Sequence, residues 1–275
     1  MIDFPNCKIN LGLHVFEQRA DTYHPLETVF FPVPVCDALE FVKAPENNLH
    51  TNIQFYGLPI AGDEENNLVY KAWKLLHDHY GIGPVNGALL KKIPMGAGLG
   101  GGSADGAFAL KILNTLFELN LSLETLLALA LKLGSDCPFF ILNKPVFATS
   151  RGEIMQPIAI NLKGYHLVLV HPNLHISTAS AFAMVPKRKI SEMGQLMPIV
   201  NGPIEHWKNQ LSNDFELALF PQFPELETIK NQLYEMGAVY AAMTGSGSTL
   251  FGLFKEPIQA KQVFTNYDFV AEMSL

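Results

Sequence analysis

The sequence predicts an α+β fold in two lobes, and three observations predict it. Helical and β-like stretches mix along the chain without a regular βαβ repeat. A break in that pattern falls near residues 150–163, so the lobes are read as 1–155 and 156–275. At 275 residues, 48% of them hydrophobic, the chain can bury one large core or two modest ones.

Each element follows from local pattern. "CKINLGLHVF" alternates, with Cys7, Ile9, Leu11, Leu13 and Val15 on one face and Lys8, Asn10, Gly12 and His14 on the other. That predicts a half-buried strand whose polar face carries Lys8 and Asn10 together. "LETVFFPVPV" predicts a strand that Pro32 and Pro34 confine to an edge or to its own end. "NLVYKAWKLLHDHYG" predicts a helix stopped by Gly81, its "HDHY" end solvated. "NGALLKKIP" reads as a short strand, after which Ser103 is placed to cap an apolar helix. "SLETLLALALKLG" is a second helix with Ser122 as its N-cap, followed by Asp136 in a turn. "GYHLVLVHP" is strand-like, and the stretch from Lys187 to Trp207 is turn-rich. "PELETIKNQLYEMG" is helical, "AVYAAM" and "STLFGLF" form a strand pair around "TGSGS", and "EPIQAKQVFTNY" predicts a closing helix.

The bulk numbers exclude several classes. A net charge of −7 lacks the basic footprint of a nucleic-acid binder. No apolar run reaches the ~20 residues of a membrane span, and the N-terminus has no signal-peptide pattern. Cys7, Cys36 and Cys137 are odd in number and lack metal-ligand spacing, as do the nine histidines, so a reducing, cytoplasmic location is expected.

The chemistry-bearing stretch is "KKIPMGAGLGGGSADGAF", with six glycines among the thirteen residues from Pro94 to Gly106. A linker would not lie directly between a strand and a helix. Gly96, Gly98 and Gly101 satisfy G-x-G-x-x-G, but Pro94 and Met95 separate strand from glycines, and the acid at the expected distance, Glu118, lies inside the helix. A Walker A loop needs Gly-Lys-Ser/Thr, which does not occur. The remaining reading is a phosphate cradle, in which backbone amides from Gly98 to Gly102 and the following helix N-terminus wrap an anion.

"PMGAGLGGGSADGA" resembles the phosphate-loop motif of the GHMP kinases. "CKINLGLHVFEQRADTYHPLETVF", "KLGSDCPFF" and "MTGSGSTLFGLF" extend the resemblance over most of the chain, least between Lys187 and Trp207. They resemble the branch of the family that acts on a cytidine diphosphate derivative. The resemblance implies a lobe like domain 2 of ribosomal protein S5, followed by a ferredoxin-like α/β sandwich, with ATP and substrate meeting in the cleft. It implies ATP and Mg²⁺ as cofactors and a small-molecule substrate. The reaction implied is phosphorylation of the 2-hydroxyl of 4-diphosphocytidyl-2-C-methyl-D-erythritol, in the non-mevalonate route to isoprenoid precursors. No nucleic acid or membrane partner is implied, and the chain is expected as a monomer or weak homodimer.

Residue by residue, the family's catalytic lysine and aspartate fall on Lys8 and Asp136. Its nucleotide contacts fall on Pro94, Met95, Gly96, Ala97, Gly98, Leu99, Gly100, Gly101, Gly102, Ser103 and Ala104, with Asn67 and Leu68 on the adenine side. Its substrate contacts fall on Asn10, Tyr23, His24 and Phe182, and on Gly245, Ser246 and Gly247 of the small-residue turn. The metal ligands are left unassigned. Two departures stand out: Cys7 replaces the commoner alanine, and "SADG" replaces "SSNA", which puts the Asp105 carboxylate in the first turn of the phosphate helix, to point away or help hold a cation. Plainer readings stand beside these: Lys8 as a solvated lysine, Asp136 as a turn former, Tyr23 and His24 as hairpin residues, and "TGSGS" as a hairpin turn only. The alternatives in function are a GHMP kinase for another small alcohol, such as a mevalonate-type substrate, or a nucleotide-binding protein without turnover.

Overall fold

The computed structural model describes residues 1–18, 24–45, 50–60 and 62–275. In chain order its strands are β1 (Ile2–Asp3), β2 (Asn6–Val15), β3 (Leu26–Cys36), β4 (Ala38–Lys43), β5 (Asn52–Gly57), β6 (Val85–Lys91), β7 (Val146–Ser150), β8 (Ile154–Pro157), β9 (His166–His171), β10 (Tyr240–Met243), β11 (Leu250–Phe254) and β12 (Phe269–Ser274). The helices are α1 (Leu68–Tyr80), α2 (Gly101–Leu116), α3 (Leu123–Leu133), α4 (Cys137–Leu142), α5 (Thr178–Met184), α6 (Leu196–Val200), α7 (Ile204–Gln210), α8 (Asp214–Leu219), α9 (Pro224–Glu235) and α10 (Ala260–Val263).

Two compact units share these elements. The first comprises Met1–Cys7, Val35–Met95 and Gly100–Lys144; the second comprises Lys8–Pro34, Gly96–Leu99 and Pro145–Leu275. Their division is discontinuous in sequence, whereas the sequence reading places one boundary at 155/156. The reason is strand pairing: β2 and β3 run beside β7 and β8 in one sheet, which draws early sequence into the later unit.

In the first unit, the sheet β1-β4-β6-β5 is antiparallel except for the parallel β5/β6 pair. Helix α2 is buried along most of its length through Ala104, Ala107, Phe108, Leu110, Ile112 and Leu113. Gly106 lets α1 approach, since a Cβ there would stand 2.9 Å from that of Leu68. Trp73 on α1 donates to the Gly83 carbonyl at 3.1 Å and stacks on His77 at 5.1 Å. The "HDHY" end of α1 is exposed as expected, His77 included, though its Nδ1 lies 2.7 Å from the Ile82 carbonyl.

In the second unit, the sheet β10-β11-β9-β12 is antiparallel throughout. Its core gathers Val168, Val170, Phe215, Leu219, Ile229, Leu233 and Phe254. Trp207 is buried edge-on against Tyr240, ring centres 5.6 Å apart, and donates to the Ile199 carbonyl at 3.1 Å.

Several local expectations hold: Gly81 ends α1 in the left-handed region, at φ +66°, and Ser122 caps α3 through the Thr125 N–H. Others are corrected. Strand β2 is buried on both faces, Lys8, Asn10 and His14 included. For strand β3 the prolines mark the strand's end and not an edge, since it lies between β2 and β7. Its two prolines fall beyond Phe30, the last residue paired with β7, where that side of the strand needs no donor. The predicted closing helix shrinks to the single turn α10, and β12 follows it alongside β9. Ser103 does not cap α2: the helix starts at Gly101, with Gly100 at φ +72° as N-cap and no side-chain cap bond.

Candidate active site

Strand β6 delivers the chain into the glycine loop. Gly96, Gly98 and Gly100 take φ values of +65°, +77° and +72°, a region only glycine enters without strain. At Gly98 sterics demand it as well, because an added Cβ would lie 2.1 Å from the Thr244 carbonyl oxygen. The loop's carbonyls are engaged within the second unit. Ala97 O accepts from the Thr249 N–H at 3.2 Å and Leu99 O from the Lys8 N–H at 3.0 Å. Gly98 O accepts from Lys8 Nζ at 2.8 Å and from Thr244 Oγ1 at 3.2 Å. The first turn of α2 is left without a side-chain cap, so its amide donors remain for an anion.

Lys8 belongs to a buried network. Its ammonium donates to Asn10 Oδ1 at 2.6 Å and lies 5.2 Å from the centre of the Phe30 ring. Asn10 Oδ1 also accepts from the Gly245 N–H at 2.8 Å and from Thr244 Oγ1 at 3.1 Å. Its amide nitrogen donates to Thr28 Oγ1 at 2.8 Å, and Thr28 donates on to the Gly12 carbonyl at 2.6 Å. Asn213 Nδ2 holds the far turn by donating to the carbonyls of Met243 and Gly245. "TGSGS" is thus the β10–β11 hairpin turn and also a wall of the glycine loop: Gly245, at φ +58°, has no room for a Cβ, which would sit 3.0 Å from Gly98 Cα. Ser246 Oγ lies 3.2 Å from Thr178 Oγ1, and Gly247 has φ +90°.

The other expected residues are placed as follows. Tyr23 lies outside the described residues; His24 is half-buried, its Nδ1 2.9 Å from the Phe16 carbonyl. Phe182 on α5 packs edge-to-face on Phe215 at 4.9 Å. Asn67 is the N-cap of α1, accepting from the Val69 N–H at 2.9 Å, and Leu68 packs under Gly106. Beside Asn67 a cavity of ≈ 290 Å³ is lined by Phe55, Tyr56, Leu58, Ile60 and Asp63 among others. Met95 is exposed and lies next to Gly102. Ser103 hydrogen-bonds the Cys137 thiol, which burial pushes up to about 12. Asp136 occupies the N-cap position of α4, half-buried, yet its carboxylate makes no cap bond there. It is not spent on finishing the helix.

Asp105 corrects the sequence reading. It stands in the second turn of α2 and is buried, with Oδ2 2.8 Å from Lys91 Nζ. Burial, then the neighbouring charge of Asp37, push its carboxyl up to about 7 against the pull of Lys91. Sequence reasoning also missed Thr28, Thr244, Asn213, Asp37 and Lys91. Thr244 sits inside the quoted turn and could have been drawn in by it. The rest carry no local signal. Among the described residues no group of three or more His, Cys, Asp and Glu could hold a metal ion.

Comparison with known proteins follows from this geometry. The profile of the GHMP kinases N terminal domain matches residues 67–144, and that of the GHMP kinases C terminal region matches 188–270. The chain is 49% identical over 271 residues to the 4-diphosphocytidyl-2-C-methyl-D-erythritol kinase of Bacteroides fragilis, covering 98% of this chain and 97% of that one. It is 46% identical to the Porphyromonas gingivalis enzyme of the same name, over 94% of each. A crystal structure of 4-(cytidine 5'-diphospho)-2C-methyl-D-erythritol kinase superposes with TM-score 0.81 at 29% identity, covering 99% of this chain and 98% of that one. A homoserine kinase from Cytophaga hutchinsonii shares the fold, with TM-score 0.68 at 16% identity over 98% of this chain and 94% of that one.

Proposed function

The chain belongs to the 4-diphosphocytidyl-2-C-methyl-D-erythritol kinases, within the GHMP kinases, and on that premise we propose how its residues divide the work. The reaction is ATP-dependent phosphorylation of the 2-hydroxyl of 4-diphosphocytidyl-2-C-methyl-D-erythritol, giving ADP and the 2-phosphate. Phosphoryl transfer asks for positioning and charge stabilisation more than for covalent help. Pro94 to Ala104 cradle the nucleotide phosphates, with Asn67 and Leu68 on the adenine side. Asp136 accepts the proton of the attacking hydroxyl. Lys8 steadies charge on the transferring phosphoryl. Asn10 sets the Lys8 ammonium and, with Tyr23, His24, Phe182 and the turn Gly245–Gly247, contacts the substrate: aromatic rings suit a pyrimidine face and a histidine its edge.

The observation that carries this reading is the Lys8 ammonium seated on the Gly98 carbonyl, which puts a fixed cation at the turn whose amides take phosphate. A lysine there has little use except near an anion. The two matched profiles lie on either side of the 155/156 boundary, which supports lobes 1–155 and 156–275 as the functional division. Asp105 is committed to Lys91, and among the described residues no group of three or more His, Cys, Asp and Glu could hold a metal ion. Mg²⁺ bound chiefly by nucleotide phosphates needs few protein ligands, and no step here runs through it. No described helix is long and apolar enough to cross a membrane; three free cysteines fit our placement of the enzyme in the cytoplasm.

A coupled ADP-release assay with Mg-ATP tests the assignment, comparing 4-diphosphocytidyl-2-C-methyl-D-erythritol with mevalonate and homoserine. Turnover with the cytidylyl substrate alone is expected. Turnover with another alcohol instead would keep the Lys8 and Asp136 chemistry and discard the cytidine contacts.

A further inference from the structure

The trio Asp37, Lys91 and Asp105 is used by no step above, although all three side chains are buried. It is built around the glycine loop's two ends. Lys91 is the last residue of β6, and its ammonium bonds Asp37 Oδ2 and, at 2.8 Å, Asp105 Oδ2. Asp37 Oδ1 accepts the N–H groups of Lys92 at 2.5 Å and Ile93 at 2.9 Å, fixing the chain as it leaves the strand. Gly101, the first residue of α2, rests on the same cluster: a Cβ there would meet Lys91 Nζ at 2.9 Å and Ile93 Cγ2 at 2.8 Å. The other oxygen of Asp105, Oδ1, is buried with no hydrogen-bond partner.

We propose that Asp105 is a positioning residue: held by Lys91 beneath the first turn of α2, its carboxyl governs how tightly that turn grips a nucleotide phosphate. The inference rests on the reading of the glycine loop as a phosphate cradle. Two carboxylates share one ammonium, so the ionised trio carries a net negative charge under a turn that must accept an anion. A proton on Asp105 removes that charge and lets its carboxyl hydrogen-bond the neighbouring Asp37 carboxylate. The charged groups facing Asp105 are Lys91 from β6 and Asp37 from the β3–β4 link. Its neighbours on α1 and α4, Leu68 beside Gly106 and the thiol Cys137 beside Ser103, contribute no charge. Phosphate bound at the turn favours the protonated form, so nucleotide binding takes up a proton near neutral pH, where the carboxyl titrates.

Calorimetric titration with adenylyl imidodiphosphate and Mg²⁺, between pH 6 and 8 and in buffers of different ionisation enthalpy, tests this. Affinity of the wild-type chain falls with rising pH, and more steeply than in Asp105→Asn, the difference reaching on the order of threefold. The variant keeps an acceptor for Lys91 but cannot ionise, and it loses the part of the proton uptake that does not belong to the nucleotide itself. Equal pH dependence in the two proteins overturns the proposal. Should Asp105→Asn fail to fold, Asp37→Asn serves: removing that charge shifts the pH step downward, and an unmoved step overturns the proposal. A wild-type chain that binds no analogue overturns the phosphate cradle, and this inference with it.

Discussion

The middle of the glycine loop and its two flanks are held by different chemistry. Residues 96–99 are held in the second unit by hydrogen bonds to their carbonyls, from Lys8, Thr244 and the Thr249 amide. The strand before the loop and the helix after it are tied in the first unit by an ion cluster, Asp37–Lys91–Asp105. The oxygens of Gly98 and Asn10 hold the Lys8 ammonium at the loop, which is in keeping with the transfer role we propose for it. The ion cluster fixes charge as well, and a lysine between two carboxylates serves the fold. The two lysines are thereby separated by what surrounds them, not by burial: Lys8 is 3% exposed and Lys91 1%.

Substitutions break the comparison most sharply at the two groups proposed to act on the phosphoryl and the hydroxyl. Asp136→Asn is expected to lower kcat by about 10³-fold or more with nucleotide affinity retained, and Lys8→Met by about 10²–10³-fold. Steady-state kinetics with a binding titration check both, and near-normal turnover in Asp136→Asn removes it as the general base. Lys91→Met should act on stability instead, costing about 3–5 kcal/mol because two carboxylates are left buried without a counter-charge. Denaturant unfolding reads that loss, and adding Asp105→Leu should restore part of it.

Acid sharpens the contrast with opposite signs. His14 and His171, both in the second unit, are held by burial at about 4 against an ordinary 6.5. Unfolded chains bind their protons first, so stability is full above pH 6.5 and falls as pH drops toward 4, by about 3 kcal/mol for each. Asp105 is shifted upward, so the native state binds the extra proton between the ordinary carboxylate range and about 7. Its contribution therefore declines as pH rises through that window. Unfolding followed from pH 4 to 8 in His14→Gln and in Asp105→Asn separates the two slopes. Smaller effects come from single neutral bonds: Thr244→Val should cost about 1–2 kcal/mol, and Asn67→Ala about 1 kcal/mol for its helix cap.

Local signals were legible wherever one residue decides the outcome. Gly81 and Ser122 announce helix ends because left-handed φ and side-chain capping are properties of those residues alone. The glycine loop was legible for the same reason. Strand β12 was not: "YDFVAEMS" takes its conformation from pairing along β9, a partner a hundred residues away. Capping by Ser103 looked sound locally, yet Gly100 starts the helix earlier and Ser103 turns to Cys137. Lys8 and Asn10 were recognisable as a pair through their two-residue spacing. Thr244 meets Asn10 across 234 residues, and Lys91 looks like any lysine of "KKIP" until Asp37 and Asp105 are brought to it. Long-range polar contacts leave no periodic trace.

The chain's two tryptophans fall one to each unit. Trp207 is fully enclosed and touches an aromatic ring, so it should emit in the blue and shift red when the second unit opens. Trp73 lies flat on an imidazole in the first unit, and protonated imidazole quenches indole emission. A pair of variants, Trp73→Phe and Trp207→Phe, therefore turns the protein into two optical reporters. Each watches a different half of the glycine loop's support come apart, and their midpoints tell whether the enzyme melts as one body or in two stages.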